Sequence, residues 1–472
     1  METYPIYCAG NFIETSLALE VFNPYNGELA GKTWLAPPEI VQKAIDQAVN
    51  ARRAMKEMPG YKRYEILSKI SSLLKQERME FAAIICRESG KPVKFALAEV
   101  DRSVQSFAVA AEESRRLPAE YLSIDWTPAG AGKEGWLRYF PVGVVAGISP
   151  FNFPLNLAVH KLAPALAAGC PVILKPSGLT PLSMLKLSRI ISTTDLPEGA
   201  VSVLPMDRST GNLLVTDDRI SLLSFTGSPK VGWEMKRKAG KKKVVLELGG
   251  NAGVIISKGT RLSEAIPKCI SGAFSYSGQV CIHTQRIYVV KEMLNEFTQQ
   301  FLQACKKLIQ GPPDDMMTDI AGMIDENNAI RVENWVLEAV EQGAEILAGG
   351  KRSGSLMQPT VLTGTHLGMK VCCEEVFGPV VIIEGVEDFS QAVEMINQGC
   401  YGLQAGVFTD SIEEMNFAFS ELEVGGIIIN DVPTFRVDHM PYGGVKESGL
   451  GREGIRYAMH DMLEPRLLVK NR

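Results

Sequence analysis

The nine cysteines of this 472-residue chain include no Cys-x-x-Cys spacing, and its first residues, METYPIYC, lack the basic and apolar stretches of a secretory leader. A disulfide framework is therefore not expected. Reduced thiols in a cytoplasmic protein are, with no metal site. Runs of one charge are missing too: 49 basic residues face 54 acidic ones, for a net charge of −5. The nearest approach to a basic patch, Lys236, Arg237 and Lys238 with Lys241, Lys242 and Lys243, reads as a solvated helix end and argues against a nucleic-acid partner. The one long uncharged run, 139–159, is broken by Pro141, Pro150 and Pro154. It reads as a buried strand, a turn and a helix, not a membrane span.

What is present is a globular composition, 46% hydrophobic and 22% charged, in a chain long enough for two or three domains. Short Val/Ile/Leu runs at 142–148, 171–175, 200–204, 221–225, 244–248, 252–256, 286–290, 380–384 and 425–429 read as strands. Helical patterns separate them at 38–56, 61–77, 93–116, 156–168, 182–193, 229–239, 262–277, 291–309, 325–342, 388–398 and 411–421. Continuous apolar strands alternating with helices imply parallel sheets covered on both faces. The expected fold class is α/β, with two Rossmann-like open parallel-sheet domains in series: 1–118 with 141–249, then 250–448. Residues 119–140 read as a hairpin, and 463–470 as a late strand with no partner nearby in sequence. With 455–472 they suit a bridging element between subunits. Gly130-Ala131-Gly132-Lys133-Glu134-Gly135 matches GxGxxG, but at a hairpin tip, with no apolar strand before it or helix after it, so it reads as a turn.

Four stretches join a strand or helix end to a reactive side chain. Asn152, in PFNFP, follows the strand 142–148. It is placed either to donate to a developing oxyanion or to cap a turn. Gly227 and Ser228 precede Pro229 at a helix start, where free N–H groups attract phosphate, or where a helix is merely well capped. Glu247 ends the strand KKKVVLEL as a desolvated general base or as the partner of one of the lysines. Cys281, past Gly278, is a nucleophile or one more buried thiol.

In order, PFNFP (150–154), FTGSP (225–229) with Gly232 following, LELGG (246–250), GQVC (278–281), EEVFGP (374–379) and PYGGVKESGLGREG (441–454) resemble the aldehyde dehydrogenase superfamily. The resemblance runs from about Ala9 to the C-terminus. The stretch around Cys281 is most similar to the lactaldehyde and glyceraldehyde-phosphate branch. The resemblance implies oxidation of an aldehyde to its acid with NAD or NADP. Cys281 would be the nucleophile, Asn152 the oxyanion donor together with the Cys281 backbone N–H, and Glu247 the base that activates water. Lys161 would assist proton movement near the catalytic centre. It likewise implies that Lys175, with Ser177 beside it, holds the adenosine ribose. Gly227 and Ser228 would line the pyrophosphate end, Glu375 and Phe377 the nicotinamide end, and Gly249 would also belong to the cofactor site. The first unit would then bind dinucleotide and the second carry the nucleophile, in a homodimer or homotetramer.

Two positions depart from the family pattern. Gly178 stands where a glutamate often binds the ribose 2′-hydroxyl, so NADP is not repelled and NAD or NADP both remain open. Gly253 replaces a frequent proline without touching the chemistry. The aldehyde entrance is expected to be lined by Arg102, Gln105 and Ser106, by Phe153 and His160, by Val280 and Ile282, and by Arg436 and His439. Two arginines and two histidines would favour a hydroxylated or anionic aldehyde, unless Arg436 and His439 only tie down their own loop. The rival readings are a CoA-acylating relative, which would not need Glu247, and a cofactor-independent thiol hydrolase pairing Cys281 with His283.

Overall fold

The computed structural model describes residues 2–471. Its strands gather into two large sheets. The first has eight, with five parallel strands at its centre in the spatial order Val201–Val203, Val172–Lys175, Val144–Ile148, Ile220–Thr226, Lys243–Glu247. Counted along the chain this is the order 3-2-1-4-5 of a doubly wound sheet, whose winding reverses between Val144–Ile148 and Ile220–Thr226. Antiparallel edges close it: Asn11–Ile13 and Ile6–Cys8 on one side, Gly449–Leu450 on the other. The second sheet has six parallel strands, Thr360–Thr363, Val380–Val386, Thr284–Val290, Ala252–Ile256, Gln404–Phe408 and Gly426–Ile429, with antiparallel Glu345–Ala348 at its edge. Apolar side chains buried on both faces explain why these strands are nearly uninterrupted Val/Ile runs.

The strands expected from the sequence are present within two residues at each end. Among those that escaped, Ile6–Cys8, Asn11–Ile13, Glu345–Ala348 and Thr360–Thr363 offer three or four residues each, too few for a periodicity, while the longer Ala18–Phe22 and Leu29–Trp34 form a two-stranded sheet of their own. Gln404–Phe408 carries a glycine at its centre, which weakens the pattern. The helices Arg78–Ser89, Arg208–Thr216 and Ile455–Asp461 were also missed, the first because it continues the pattern of Gly60–Gln76 past Glu77. The late strand does have a partner. Leu463–Asn471 pairs antiparallel with Lys133–Pro141 over nine residues, and Ala119–Ser123 flanks the other side. Gly130 lies in a 3-10 turn where a β-carbon would overlap the Ile124 carbonyl, as a hairpin turn requires.

The helix Asn156–Ala168 is buried all round. Such a helix must satisfy its polar groups inside the protein. Its first N–H groups have no local cap. Glu99, from the helix Val93–Ser114, accepts from Leu155 N at 3.0 Å and Asn156 N at 3.1 Å, and is itself paired with buried Lys91. This fixes where Asn152, His160 and Lys161 stand.

Two registers then bring distant residues together. Thr226 pairs with Glu247, and Ile148 with both Lys175 and Phe225, so Asn152, Lys175, Ser228 and Glu247 all lie at or just beyond the carboxyl ends of the first sheet. Ala252 pairs with Thr284, which sets Gly250 beside Cys281 at the amino end of the second sheet. The contact is close: a β-carbon on Gly250 would overlap the Cys281 carbonyl oxygen.

Candidate active site

Cys281 is reached through a sharp buried turn. Tyr276, Ser277 and Gly278 all adopt left-handed backbone, with φ of 50°, 53° and 68°. For two non-glycine residues this costs on the order of 1–3 kcal/mol each, so the surroundings must enforce it. They do: Tyr276 OH donates to Ser89 O (3.3 Å), Ser277 Oγ to Ala321 O (2.8 Å), and Gln279 Oε1 accepts from Ile324 N (2.9 Å). A side chain at Gly278 would strike the Gly378 carbonyl. Arg286, buried, ties the far side of the loop through Asn251 O at 2.8 Å and Met395 O at 3.2 Å.

The thiol keeps a partly exposed surface at the end of a cavity of about 340 Å³, which it shares with Asn152, Thr226, Gly227, Ser228, Leu248, Gly249, Glu375 and Phe377. Leu157, Asn328 and Arg331 also line it and were not anticipated. The helix Glu326–Glu341 that supplies the last two carries no motif to mark them. Asn152 is buried and donates through Nδ2 to Gln279 O at 2.8 Å, while its Oδ1 has no partner. Both carboxylate oxygens of buried Glu247 are likewise unpartnered. Leaving a buried polar atom unpaired costs about 1–3 kcal/mol, so three such atoms around one thiol mark a place built to meet something else.

Electrostatics separate the groups. Burial pushes the Cys281 thiol up to about 12, opposed by its hydrogen bond with Tyr442 and by Arg436. Burial, with Glu453 as a like charge, raises Glu247 well above the usual carboxylate range. Glu375 rises to about 7 by burial, moderated by the Gly250 N–H it accepts at 2.9 Å. His283 is buried with its Nε2 unpartnered, and burial lowers it to about 4. No hydrogen bond joins it to Cys281 among the described residues.

Groups in and around the cavity suit parts of a dinucleotide, with Lys175 and Ser177 outside its lining. Ser228 caps the helix Pro229–Lys238 by backbone position only, so its hydroxyl and the first N–H groups are left for an anion. A β-carbon would meet the Phe225 ring at Gly227 and the Glu375 carboxylate at Gly249, so the backbone stays low where a ligand would lie. Phe377, at φ 47°, holds its ring edge-on to Phe151 across the mouth, centroids 5.8 Å apart. Lys175 lies at the end of its strand, lowered by burial, with Asp207 opposing. Ser177 accepts from Leu179 N at 3.2 Å, and next to it nothing lies within 4 Å of a β-carbon on Gly178.

The residues expected at the aldehyde entrance lie outside that cavity, and most are engaged with one another. Arg102 makes a two-pronged contact with Asp438 (2.7 and 3.2 Å). His160 bridges Asp438 Oδ1 (2.8 Å) and Glu453 Oε2 (3.0 Å), and Arg436 reaches Glu453 Oε2 at 3.0 Å. Lys161 donates to Thr226 Oγ1 (2.7 Å) and Glu453 Oε1 (3.2 Å). Burial opposes ionisation of Asp438 and Glu453. The surrounding His160, Arg102, Lys161 and Arg436 nevertheless hold both well below the usual carboxylate range. Ser106 bonds Asn156, Gln105 is exposed, and Phe153 stacks edge-on to Tyr276 with the Lys91 ammonium 3.8 Å from its centroid. Val280 and Ile282 pack with Leu403 and Tyr442 beside the thiol; His439 is exposed.

Reading the sequence for basic groups passed over Asp438, between Arg436 and His439, and Glu453 and Tyr442, inside the motif already singled out. Acids interleaved with the arginine and histidines were the available signal.

Comparison with known proteins identifies the family. The model of the aldehyde dehydrogenase family matches residues 12–468. A 3-sulfolactaldehyde dehydrogenase of Priestia megaterium is 41% identical over 472 residues, covering 100% of this chain and 98% of the relative. Among solved structures, aldehyde dehydrogenase 21 from Physcomitrella patens, in complex with the reaction product succinate, superposes with a TM-score of 0.98 at 44% identity, over 100% of this chain and 98% of that one. Glyceraldehyde-3-phosphate dehydrogenase GapN from Methanocaldococcus jannaschii, complexed with NADP, gives 0.93 at 37%, over 96% and 99%. The chain belongs to the aldehyde dehydrogenase family.

Proposed function

We propose that this chain oxidises a small aldehyde bearing an anionic or hydroxylated group to its carboxylic acid, using NAD or NADP, through a thioester on Cys281. The observation that carries the reading is that the Cys281 thiol and the Asn152 amide share one cavity, while the unpaired, burial-raised Glu247, directly before the cavity residues Leu248 and Gly249, acts electrostatically on that thiol. The sulfur of Cys281 adds to the aldehyde carbon, and the carbonyl electron pair moves to oxygen. That oxyanion is met by the second N–H of the Asn152 amide and by the backbone N–H of Cys281. Lys175, Ser177, Gly227, Ser228, Gly249, Glu375 and Phe377 would hold a dinucleotide, which would supply the hydride acceptor that turns the thiohemiacetal into a thioester. Glu247 then takes a proton from water, the oxygen attacks the thioester, and the Cys281 sulfur leaves as the acid is released. Because Glu247 is desolvated, it is both a stronger base when ionised and less often ionised. Turnover of the thioester is expected to rise with pH through its raised ionisation.

The polar cluster supports the substrate class. Three cations, Arg102, Arg436 and Lys161, face two carboxylates held ionised, Asp438 and Glu453. The Arg102 side chain is still 29% exposed. A guanidinium that keeps one exposed side suits a carboxylated, sulfonated or phosphorylated aldehyde, the kind of molecule named in the relatives. For assembly we propose a homodimer or homotetramer that uses the sheet of Ala119–Ser123, Lys133–Pro141 and Leu463–Asn471, where Trp136, Leu467, Leu468 and Val469 are exposed. The eight-stranded sheet would serve as the dinucleotide domain and the seven-stranded one as the catalytic domain. No helix among the described residues is long and apolar enough to cross a membrane.

Three measurements check this reading. Cys281→Ala abolishes turnover, whereas Glu247→Gln keeps a single-turnover burst of reduced cofactor and loses about 10²–10⁴-fold in steady state; a burst lost with Glu247 would move that residue to the first half-reaction. Arg102→Met raises KM for an acidic aldehyde about tenfold or more and leaves hexanal unchanged; equal effects on both would remove Arg102 from substrate recognition. Gly178→Glu, which has room for its side chain, lowers kcat/KM with NADP at least about tenfold more than with NAD. An unchanged cofactor ratio would place the ribose elsewhere.

A further inference from the structure

One group against the Cys281 sulfur is left unused by the reaction as proposed. The Tyr442 hydroxyl lies 3.0 Å from Sγ. Its ring is buried, and the guanidinium carbon of Arg436 sits 3.6 Å from the ring centroid. The ring is held in place: Tyr442 N donates to Glu453 O at 3.0 Å, Glu453 N donates back to Tyr442 O at 2.6 Å, and Ile282 and Leu403 pack on it. Arg436 is anchored in turn by Glu453 Oε2 (3.0 Å), the carboxylate oxygen that it shares with His160.

Resting on Cys281 as the nucleophile, we propose that Tyr442 is a further catalytic residue, whose hydroxyl donates to the Cys281 sulfur and favours its thiolate, and that Arg436 is the positioning residue that sharpens this donation from above the ring. Toward a neutral thiol the contact is a weak hydrogen bond. Toward a thiolate it becomes charge-assisted and roughly twice as strong, so it selects the ionised form. A cation over the ring face withdraws density from the phenol and makes its O–H the better donor. The phenol keeps its own proton, because burial together with Cys281 and Glu247 pushes Tyr442 well above its ordinary value. The sulfur needs the help. Burial raises it, Glu375 and Glu247 add to the rise, and only Tyr442 and Arg436 oppose it. Beyond these four, the charged groups facing the site include Glu453, Lys161, Arg452, His160 and Asp438, which act on Glu247 and Arg436; Arg331, which lines the cavity and acts on Glu375; and Arg102, which acts on Asp438. Phenylalanine would fill the same volume and give the sulfur no donor.

The test is alkylation of Cys281 by iodoacetamide, followed by peptide mass across pH, with neither aldehyde nor dinucleotide present. In Tyr442→Phe the pH–rate profile moves up by about one unit, with tenfold less thiolate at any pH below it. With 2,3-difluorotyrosine at 442, a stronger donor of nearly the same shape, the profile moves down. An unshifted or lowered profile in Tyr442→Phe, or an unshifted or raised one in the fluorinated protein, overturns the proposal. If Tyr442→Phe fails to fold, the fluorinated protein decides alone. Activity in Cys281→Ala separates the two ideas. If that variant is active, the nucleophile itself is wrong. If it is inactive and Tyr442→Phe is unshifted, only the role of Tyr442 falls.

Discussion

Four residues, Leu248 to Asn251, join the last parallel strand of one sheet to the first strand of the other, and that short link constrains everything around it. A connection this brief leaves the carboxyl end of Lys243–Glu247 facing the amino end of Ala252–Ile256. Glu247 therefore stands on one lip of the junction, and the Cys281 turn, one strand over, on the other. Gly249 and Gly250 make the link possible, since a side chain at the first would meet Glu375 and at the second the Cys281 carbonyl. The doubly wound sheet then supplies Asn152, Lys175 and Ser228 from its own carboxyl edge, where its winding reverses. Chemistry and cofactor cavity meet because two sheet ends are held a few residues apart.

The second organising feature is the buried polar cluster beneath that junction. The helix Asn156–Ala168 has no solvent-facing side, so His160 and Lys161 need partners inside, and Asp438 and Glu453 provide them from the C-terminal loops. Breaking such a set by removing one member strands a charge, which is more damaging than never having built it. The cluster thus pins the loop 436–442 against the early helices and holds Tyr442 at the thiol. The arginines expected to be free for substrate are instead engaged in this internal lattice, Arg436 with its side chain buried in it and Arg102 with part of its side chain exposed.

Much of this was legible from residue types in order. The strand–helix alternation, the helix Asn156–Ala168 to the residue, and the cavity residues Asn152, Gly227, Ser228 and Cys281 followed from local pattern, and Glu375 from the family resemblance alone. The rest depends on topology. Ligand sites in open sheets are expected at carboxyl ends, yet Cys281 sits at an amino end, a position that only the register of Ala252 with Thr284 reveals. The pairing of His160 with Asp438 spans 278 residues, and no local spacing encodes it. His283 looked close to Cys281 in sequence, but the turn that exposes the thiol leaves the imidazole buried and neutral.

The account rests on covalent attachment of the substrate to one thiol among nine. It is tested most directly by acid-quenching the Glu247→Gln protein a few seconds after mixing with an acidic aldehyde and NADP, then mapping the peptides by mass. The peptide carrying Cys281 should gain the mass of the acyl group, and the other cysteine peptides none. An unmodified protein that has nevertheless formed the acid, or an adduct on a different cysteine, would contradict it.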